Sequence, residues 1–463
     1  MAIVNTKRVS MNEQDPHQRA HNFEEVTYGL TLEQAIAEAE RCLDCKVPKC
    51  RQGCPVSVDI PTFISYIKKG DIDMAYETIT RTNNLPAVCG RVCPQEEQCE
   101  KVCIRGPKLG GAVAIGYLER FAADYALKKN KQKVSNIVKN NIKVAIVGSG
   151  PAGLTCAADL AMAGMNVTIY EAFHKAGGVL VYGIPEFRLP KVIVQKEIEK
   201  LKNLGVNIEL NTIIGKTITI EELKKEYDAI FLGTGAGLPQ FLNIPGENLN
   251  GVSSANEYLT RTNLMKAYVN DAITPIYTGK NVIVVGAGNV AMDSARTALR
   301  MGADKVTIVY RRSRDEMPAR AEEIVHAEHE GVILQLLTSP LAILGDKKVE
   351  KMQCQAMELG EPDSSGRRRP VPIVGKVFDI DCDQVIMAIG TSPNPLIKNS
   401  CSELEVSKWG TMVVNEATNE TSITNIYAGG DAVTGAATVI LAMGAGKLAA
   451  KSIVERLTRE CSR

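Results

Sequence analysis

Eight of the thirteen cysteines lie between Cys42 and Cys103. The first run is Cys42-x2-Cys45-x4-Cys50-x3-Cys54-Pro55, and the second is Cys89-x3-Cys93-Pro94-x5-Cys99-x3-Cys103. Thiolates are soft anionic ligands, and such density points to metal rather than to disulfides. Structural zinc sites usually pair C-x2-C units across a longer gap. Only one C-x2-C unit occurs here. The run C-x2-C-x2-C-x3-C-P holds cubane clusters, and its last cysteine crosses to a second cluster. The first run matches it with two extra residues in the second gap. Two Cys-Pro runs therefore predict two [4Fe–4S] clusters. Spacing alone assigns Cys42, Cys45, Cys50 and Cys103 to one cluster, and Cys54, Cys89, Cys93 and Cys99 to the other.

A second chemistry is written in glycine. The apolar run Ile142–Val147 ends in Gly148-Ser149-Gly150-Pro151-Ala152-Gly153, a helical pattern follows, and the next apolar run ends on Glu171. Strand, glycine turn, helix, strand and acid form the dinucleotide-binding context. The glycines let backbone approach a pyrophosphate, the helix start offers free N–H groups, and the acid can accept from ribose hydroxyls. The pattern recurs at Gly286-Ala287-Gly288-Asn289-Val290-Ala291. There the following strand, Lys305–Tyr310, ends in Arg311-Arg312-Ser313-Arg314 instead of an acid. Guanidinium groups bind a 2′-phosphate bidentately, so this site is expected to take NADP(H) rather than NAD(H).

Other glycine turns complete the first site. Gly177-Gly178 precedes Val179 and Leu180, and a strand at Tyr227–Leu232 leads to Thr234-Gly235. Near the C-terminus, Asn425–Ala428 delivers Gly429-Gly430-Asp431, which resembles the second flavin signature of two-dinucleotide-fold flavoproteins. A small-residue helix start containing Thr438 follows and can bring N–H dipoles to the flavin. The two flavin signatures are far apart in the chain, so the nicotinamide site must be inserted between them. The expected fold is α/β, with two Rossmann-like domains, the NADP domain inserted in the FAD domain, preceded by an α-helical iron–sulfur domain. The expected divisions are 1–135 for the iron–sulfur domain, 136–278 with 386–463 for FAD, and 279–385 for NADP. Gly390 follows the strand that returns from the insert.

The elements that must position these residues are also legible. Residues 11–30 read as a polar extended arm. Thr31 can cap a helix over 33–41, and residues 56–85 read as helical. The basic stretch 128–143 reads as a solvated linker holding a domain boundary. A helix over 192–204 and a strand over 207–210 continue the alternation, and 357–372 reads as an exposed hairpin loop. Cys156, Cys354, Cys382, Cys401 and Cys461 form no C-x-x-C pair beside the flavin, so no redox-active disulfide is expected.

Composition is that of a globular protein, with 45% hydrophobic and 23% charged residues. A net charge of +1 supplies no field that would draw the chain to nucleic acid or membrane. There is no apolar run long enough to span a bilayer and no signal-peptide core at the start, so a cytoplasmic location is expected.

The runs Leu85–Gln95 and Ala114–Phe121 resemble the N-terminal module of the NADPH-dependent glutamate synthase small subunit. The same module occurs in the large subunit of NADH-dependent reduced ferredoxin:NADP oxidoreductase and in dihydropyrimidine dehydrogenase. In that family one cluster is held by three cysteines and a Glu or Gln, while the cysteine matching Cys89 is not a ligand. The resemblance thus implies Cys54, Cys93, Cys99 and Glu119 for the second cluster. It further implies that Gly177–Lys191 lines the isoalloxazine, with Arg188 as a polar contact, and that Asp431 holds the ribityl–phosphate region. Glu316–Arg320 follows the nicotinamide fingerprint as it does in the family, with Arg320 a candidate contact.

Together these features imply electron flow between NADPH and iron through a flavin, with no acid–base catalyst required. The first expectation is an electron-transfer subunit of the bifurcating ferredoxin:NADP oxidoreductase large-subunit type. Its partners would be ferredoxin and a small NAD-linked flavoprotein subunit, in a hetero-oligomer. The second is the NADPH-oxidising subunit of a glutamate synthase, partnered by the large subunit. The third is a non-catalytic cluster-bearing scaffold.

Overall fold

Thr31 begins the first long helix through a reciprocal cap. Its Oγ1 accepts from the Gln34 N–H at 3.2 Å, and the Gln34 side chain accepts from the Thr31 N–H at 2.9 Å. The helix runs Leu32–Ala39. The computed structural model describes residues 7–106, 109–129, 137–363 and 366–460, without the Glu460 side chain. The middle of the expected linker, with the 135/136 boundary, lies outside the described residues, as do Cys461 and two residues of the expected hairpin loop.

Helices Ile60–Lys68, Ile72–Thr80, Pro86–Val92 and Ile115–Lys128 complete the N-terminal unit. Their apolar spacing places Phe63, Ile64, Ile67, Ile79, Leu85 and Leu118 in one core. Gly90 lets two of these helices meet backbone to backbone, since a Cβ there would sit 2.6 Å from the Arg120 nitrogen. That approach brings the Cys93 turn beside Glu119.

The first sheet is parallel, in the order Ile426–Ala428, Ala229–Leu232, Lys143–Val147, Asn166–Tyr170, Asn207–Glu209. Val147 is in register with Tyr170 and Leu232. The turns after Val147, Leu232 and Ala428 therefore emerge at one carboxyl edge, where such sheets bind ligands.

The second sheet is also parallel, in the order Ile333–Gln335, Lys305–Val309, Asn281–Val285, Gln384–Met387, Val252–Ser254. It draws a strand from ahead of 279 and extends past 385. The strand Val252–Ser254 is short and carries no alternating pattern, and its partner Gln384–Met387 holds it in place. A three-stranded antiparallel sheet, Thr338–Leu344, Lys351–Pro362 and Arg368–Asp381, projects from this unit, its last two strands running into the expected loop. Leu238–Pro239 pairs antiparallel with Thr391–Ser392, so the two crossings between the sheets lie side by side.

The expected extended arm carries a helical turn, Pro16–Arg19, capped by Asp15, and a strand pair, Asn12–Glu13 with Thr27–Gly29. The arm also straps the units together. The Val26 N–H donates to the Phe187 carbonyl at 2.9 Å, and Phe23 stacks on Tyr268 with ring centroids 4.1 Å apart. Among the described residues no helix is long and apolar enough to cross a membrane.

Candidate functional site

Cys42, Cys45, Cys50 and Cys103 line one cavity, walled by Ile60, Pro61 and Ile64. Burial pushes the Cys50 thiol up to about 11, and Cys42, Cys103 and Cys45 add to the shift. Burial likewise raises Cys42, with Cys45 and Cys103 contributing. Four thiols that repel one another's charge around an apolar hollow are a donor set suited to a soft, cationic metal centre.

Cys54, Cys93, Cys99 and Glu119 form a second group. Burial raises Cys54 to about 11, and Glu119 and Cys89 raise it further. Cys93 is raised first by its hydrogen bond with Cys89, then by burial, Glu119 and Cys99. Cys99 is raised by burial and then by nearby acids, Glu119 among them. Burial lifts the Glu119 carboxyl to about 7, opposed by Asn83, whose Nδ2 donates to it at 2.6 Å. Arg120 turns away, toward Thr27, Glu25 and Asp124. A buried carboxylate grouped with thiols and without a salt bridge among the described residues fits a ligand role. Cys89 lies in the same group, its sulfur meeting Cys93 as well as Asn83 Oδ1 at 3.6 Å and Met443 Sδ at 3.5 Å. Asn83 carries no signal in the sequence.

In the first nucleotide turn each glycine has its own reason. A Cβ on Gly148 would lie 2.6 Å from the Gly233 carbonyl oxygen, and one on Gly153 only 2.0 Å from that of Gly148. A Cβ on Gly150 would meet nothing within 4 Å. Helix Pro151–Met162 starts there without a side-chain cap, so free N–H groups face a cradle that suits a diphosphate. Glu171 accepts from the Ser149 hydroxyl, from the Ser149 N–H at 3.0 Å and from the Phe173 N–H at 2.9 Å. Gly178 packs on the Gly150 backbone, with Val179 half-buried and Leu180 buried behind it. Gly430 packs near Ala152. Burial raises Asp431 to about 6, against a hydrogen bond from the Ala437 N–H at 3.2 Å. Thr234 is exposed, Gly235 has a positive φ of 68°, and Thr438 Oγ1 lies 3.5 Å from Gln98 Nε2.

The second turn repeats the arrangement. A Cβ on Gly286 would sit 2.3 Å from the Ala388 carbonyl oxygen, whereas Gly288 opens on free space before the uncapped helix Asn289–Arg300. Asn289 Oδ1 accepts from the Arg320 N–H at 2.9 Å, and Val290 is exposed. Arg311 is exposed. Arg312 is buried, donating to Asp363 Oδ2 at 2.6 Å and to the Arg368 carbonyl at 2.8 Å, so it ties the projecting hairpin to the strand end. Arg320 is buried and donates to the Arg91 carbonyl at 2.9 Å and to Glu322. The Gly390 carbonyl accepts from the Gln240 N–H at 3.1 Å in the crossing pair.

Arg188 faces the unit built on the second parallel sheet. Its guanidinium pairs with Asp293 and with Glu323. This pair opens a buried lattice in which Arg296 binds Glu323 and Glu330, Arg300 binds Glu330, and Arg19 of the arm binds Glu330 and Glu13. Sequence reading missed these residues. Two arginines one helical turn apart on a fingerprint helix, Arg296 and Arg300, are the available signal.

Residues 19–131 match the family described as dihydropyrimidine dehydrogenase domain II, 4Fe-4S cluster, and residues 142–446 match the pyridine nucleotide-disulphide oxidoreductases. The chain is 35% identical over 462 residues to the glutamate synthase [NADPH] small chain of Azospirillum brasilense, covering 98% of this chain and 95% of that one. The chain belongs to the glutamate synthase small-chain family. Members of the wider group include the NADP(+)-dependent formate dehydrogenase subunit beta of Moorella thermoacetica, 42% identical over 433 residues. The chain spans 60% of that relative's length, and the match covers 88% of this chain. The Mycobacterium tuberculosis FprA structure in complex with NADPH shares the fold of 70% of this chain and covers 86% of its own, with a TM-score of 0.59 at 21% identity. The family is one of oxidoreductases, with two parallel-sheet nucleotide-binding units behind an iron–sulfur domain.

Proposed function

We propose that this chain is an NADPH-oxidising electron-transfer subunit that binds FAD, NADP(H) and two [4Fe–4S] clusters, of the ferredoxin:NADP oxidoreductase large-subunit type. The observation that carries the reading is a contact between two units. The helix Val439–Glu460 begins beside the Gly430–Asp431 flavin turn and lies against the second cysteine group. A Cβ on Gly444 would meet the Pro55 carbonyl oxygen at 3.1 Å, Met443 touches Cys89, and Thr438 meets Gln98. The turn that would hold the flavin and the loops that would hold iron are thus packed together.

When bound, these groups supply hydride acceptance at the flavin and one-electron steps at iron. The protein's own residues do the positioning. Gly148, Gly150 and Gly153 shape the first cradle, and Gly286 and Gly288 the second. Arg311, exposed and without an ion pair among the described residues, would supply a cation for a 2′-phosphate. Cys42, Cys45, Cys50 and Cys103 would hold one cluster, and Cys54, Cys93, Cys99 and Glu119 the other. Anaerobic purification tests this: FAD and about eight irons per chain are expected, with NADPH bleaching the flavin and giving a reduced-cluster EPR signal. A colourless or zinc-bearing sample overturns it.

A second reading, the small subunit of a glutamate synthase, is favoured by the nearly end-to-end match to that relative. Complexes isolated anaerobically separate the two. NADPH-driven glutamate formation from glutamine and 2-oxoglutarate supports the second, and coupled ferredoxin and NAD reduction supports the first and its bifurcating form.

A further inference from the structure

We propose that Glu13, Glu322 and His326 form a site for one divalent transition-metal ion, which clamps the N-terminal arm onto the unit built on the second parallel sheet. None of the three belongs to the cysteine groups or the glycine turns, and the site does not depend on the electron-transfer reading. Glu322 and His326 stand one turn apart on the helix Ala321–His329, so both side chains leave the same face. Glu13 comes from the arm strand Asn12–Glu13, and its Oε2 lies 3.2 Å from His326 Nε2. One ligand atom from each residue falls within 4.8 Å of the other two. Ligands on one ion with bonds of about 2.0–2.2 Å stand roughly 3.0–3.5 Å apart, so a side-chain adjustment closes the set. One imidazole and two carboxylates suit manganese, iron or zinc, and three protein ligands leave a position for water.

The charges around the three residues call for a cation. The buried lattice described above holds four arginines and four acids. Arg320 adds one guanidinium but two acids, Glu322 and Glu96, so carboxylates outnumber guanidiniums by one. An uncompensated buried charge is costly. His326 is only 5% exposed, and Glu13 is its ion-pair partner. A metal ion at this imidazole supplies the missing positive charge. There is also room for its water. Glu322 and His326 line a cavity of about 30 Å³ together with Tyr117 and Arg320. Arg91 and Arg120 line it too, but Glu25 and Asp124 match their charge. Arg320 Nε is buried and makes no hydrogen bond, its nearest carboxylate oxygen, on Glu96, being 3.5 Å away. A metal-bound water in the cavity gives that N–H an acceptor. Outer donors already hold the two carboxylates. The Tyr117 hydroxyl donates to Glu322 Oε1 at 3.0 Å, and Arg19 Nη1 to Glu13 Oε2 at 2.8 Å. Such donors orient metal ligands. Tyr117 belongs to the helix Ile115–Lys128, so the ion also ties in the N-terminal helical unit.

The test uses the anaerobically purified full chain with its clusters oxidised, and Mn²⁺ as the probe. Oxidised [4Fe–4S] clusters are EPR-silent, so loss of the free Mn²⁺ spectrum counts the bound ion. One Mn²⁺ per chain is expected. With free Mn²⁺ at about ten times Kd, amide exchange in residues 12–29 should slow roughly tenfold, because the ion binds only the docked arm. Glu13→Gln and His326→Gln should each weaken Mn²⁺ binding at least about tenfold and abolish the slowing, with iron content unchanged. Asp346→Asn, an exposed acid between Leu344 and Lys351, should alter neither. Should His326→Gln lower the iron content, Glu13→Gln decides, since Glu13 is exposed. No uptake of Mn²⁺, uptake that survives both substitutions, or binding without effect on arm exchange overturns the site. Exchange that slows in acid with no Mn²⁺ uptake also overturns it and assigns the balancing charge to a proton on His326.

Discussion

Both carboxylate oxygens of Asp293 accept from one nitrogen of Arg188, at 2.8 and 2.7 Å. The arginine belongs to the segment beside the first nucleotide turn, and the aspartate to the fingerprint helix of the second. The pair is buried, so it fixes one unit against the other.

Replacing Arg188 by Met leaves Asp293 and Glu323 with a lost partner in a buried setting. Removing one member of a buried pair costs on the order of 3–5 kcal/mol. The melting temperature should fall clearly, and NADPH-dependent flavin reduction should slow more than flavin content falls. Differential scanning calorimetry and stopped-flow absorbance check both.

Two fingerprint glycines, Gly288 facing open space and Gly153 packed on backbone, separate binding from folding. Gly288→Ala should melt close to the parent because its Cβ meets no atom within 4 Å, yet NADP(H) affinity should drop. Gly153→Ala should unfold the flavin turn, since its Cβ would lie 2.0 Å from a carbonyl oxygen. Isothermal titration and thermal melts distinguish the two outcomes.

The fourth ligand of the second cysteine group can be read by counting iron. Glu119→Ala and Cys99→Ser should each lose about four irons. Cys89→Ser should keep the full count if Glu119 is the fourth ligand, although its sulfur meets Cys93 as well as Asn83 and Met443. Iron analysis and EPR of the reduced protein decide.

Arg311→Ala should lower NADPH affinity by roughly 10–100-fold, the worth of a charge-assisted contact to phosphate. NADH affinity should hardly change. Arg312→Ala should instead loosen the hairpin through loss of Asp363 and Arg368, detectable as faster amide exchange in residues 351–381.

Acid should attack the arginine lattice. Burial would raise Glu330, but Arg296 and Arg300 outweigh it and hold the carboxyl at about 2. A depressed acid adds stability that is complete above the unfolded value of about 4.3 and drains away as pH falls toward the folded one. Glu330→Gln should therefore be less stable than the parent at neutral pH. The gap should close between about pH 4.3 and about 2, measured by denaturant titration across that range.

The parts legible in the sequence are those with local causes. The Thr31 cap, the two strand–glycine–helix turns and the helices over 60–80 follow from residue type and period alone, and the cysteine runs carry their own spacing. The arm was illegible because Glu13, Arg19 and Glu25 look solvated in a polar stretch. Their partners outside the arm, His326, Glu330, Arg91 and Arg120, stand far along the chain. The same distance hid the link between Arg188 and Asp293, and the strand Val252–Ser254 is defined by its neighbour rather than by its own pattern.

Because Leu238–Pro239 and Thr391–Ser392 run side by side, the chain leaves the first parallel sheet and re-enters it at one doorway. Everything from 240 to 390 is a cassette joined to the rest of the chain at that doorway and held elsewhere by side chains such as Arg188 and Arg19. The cassette could be cut away and the stumps rejoined by a short bridge without moving a strand of the remaining sheet.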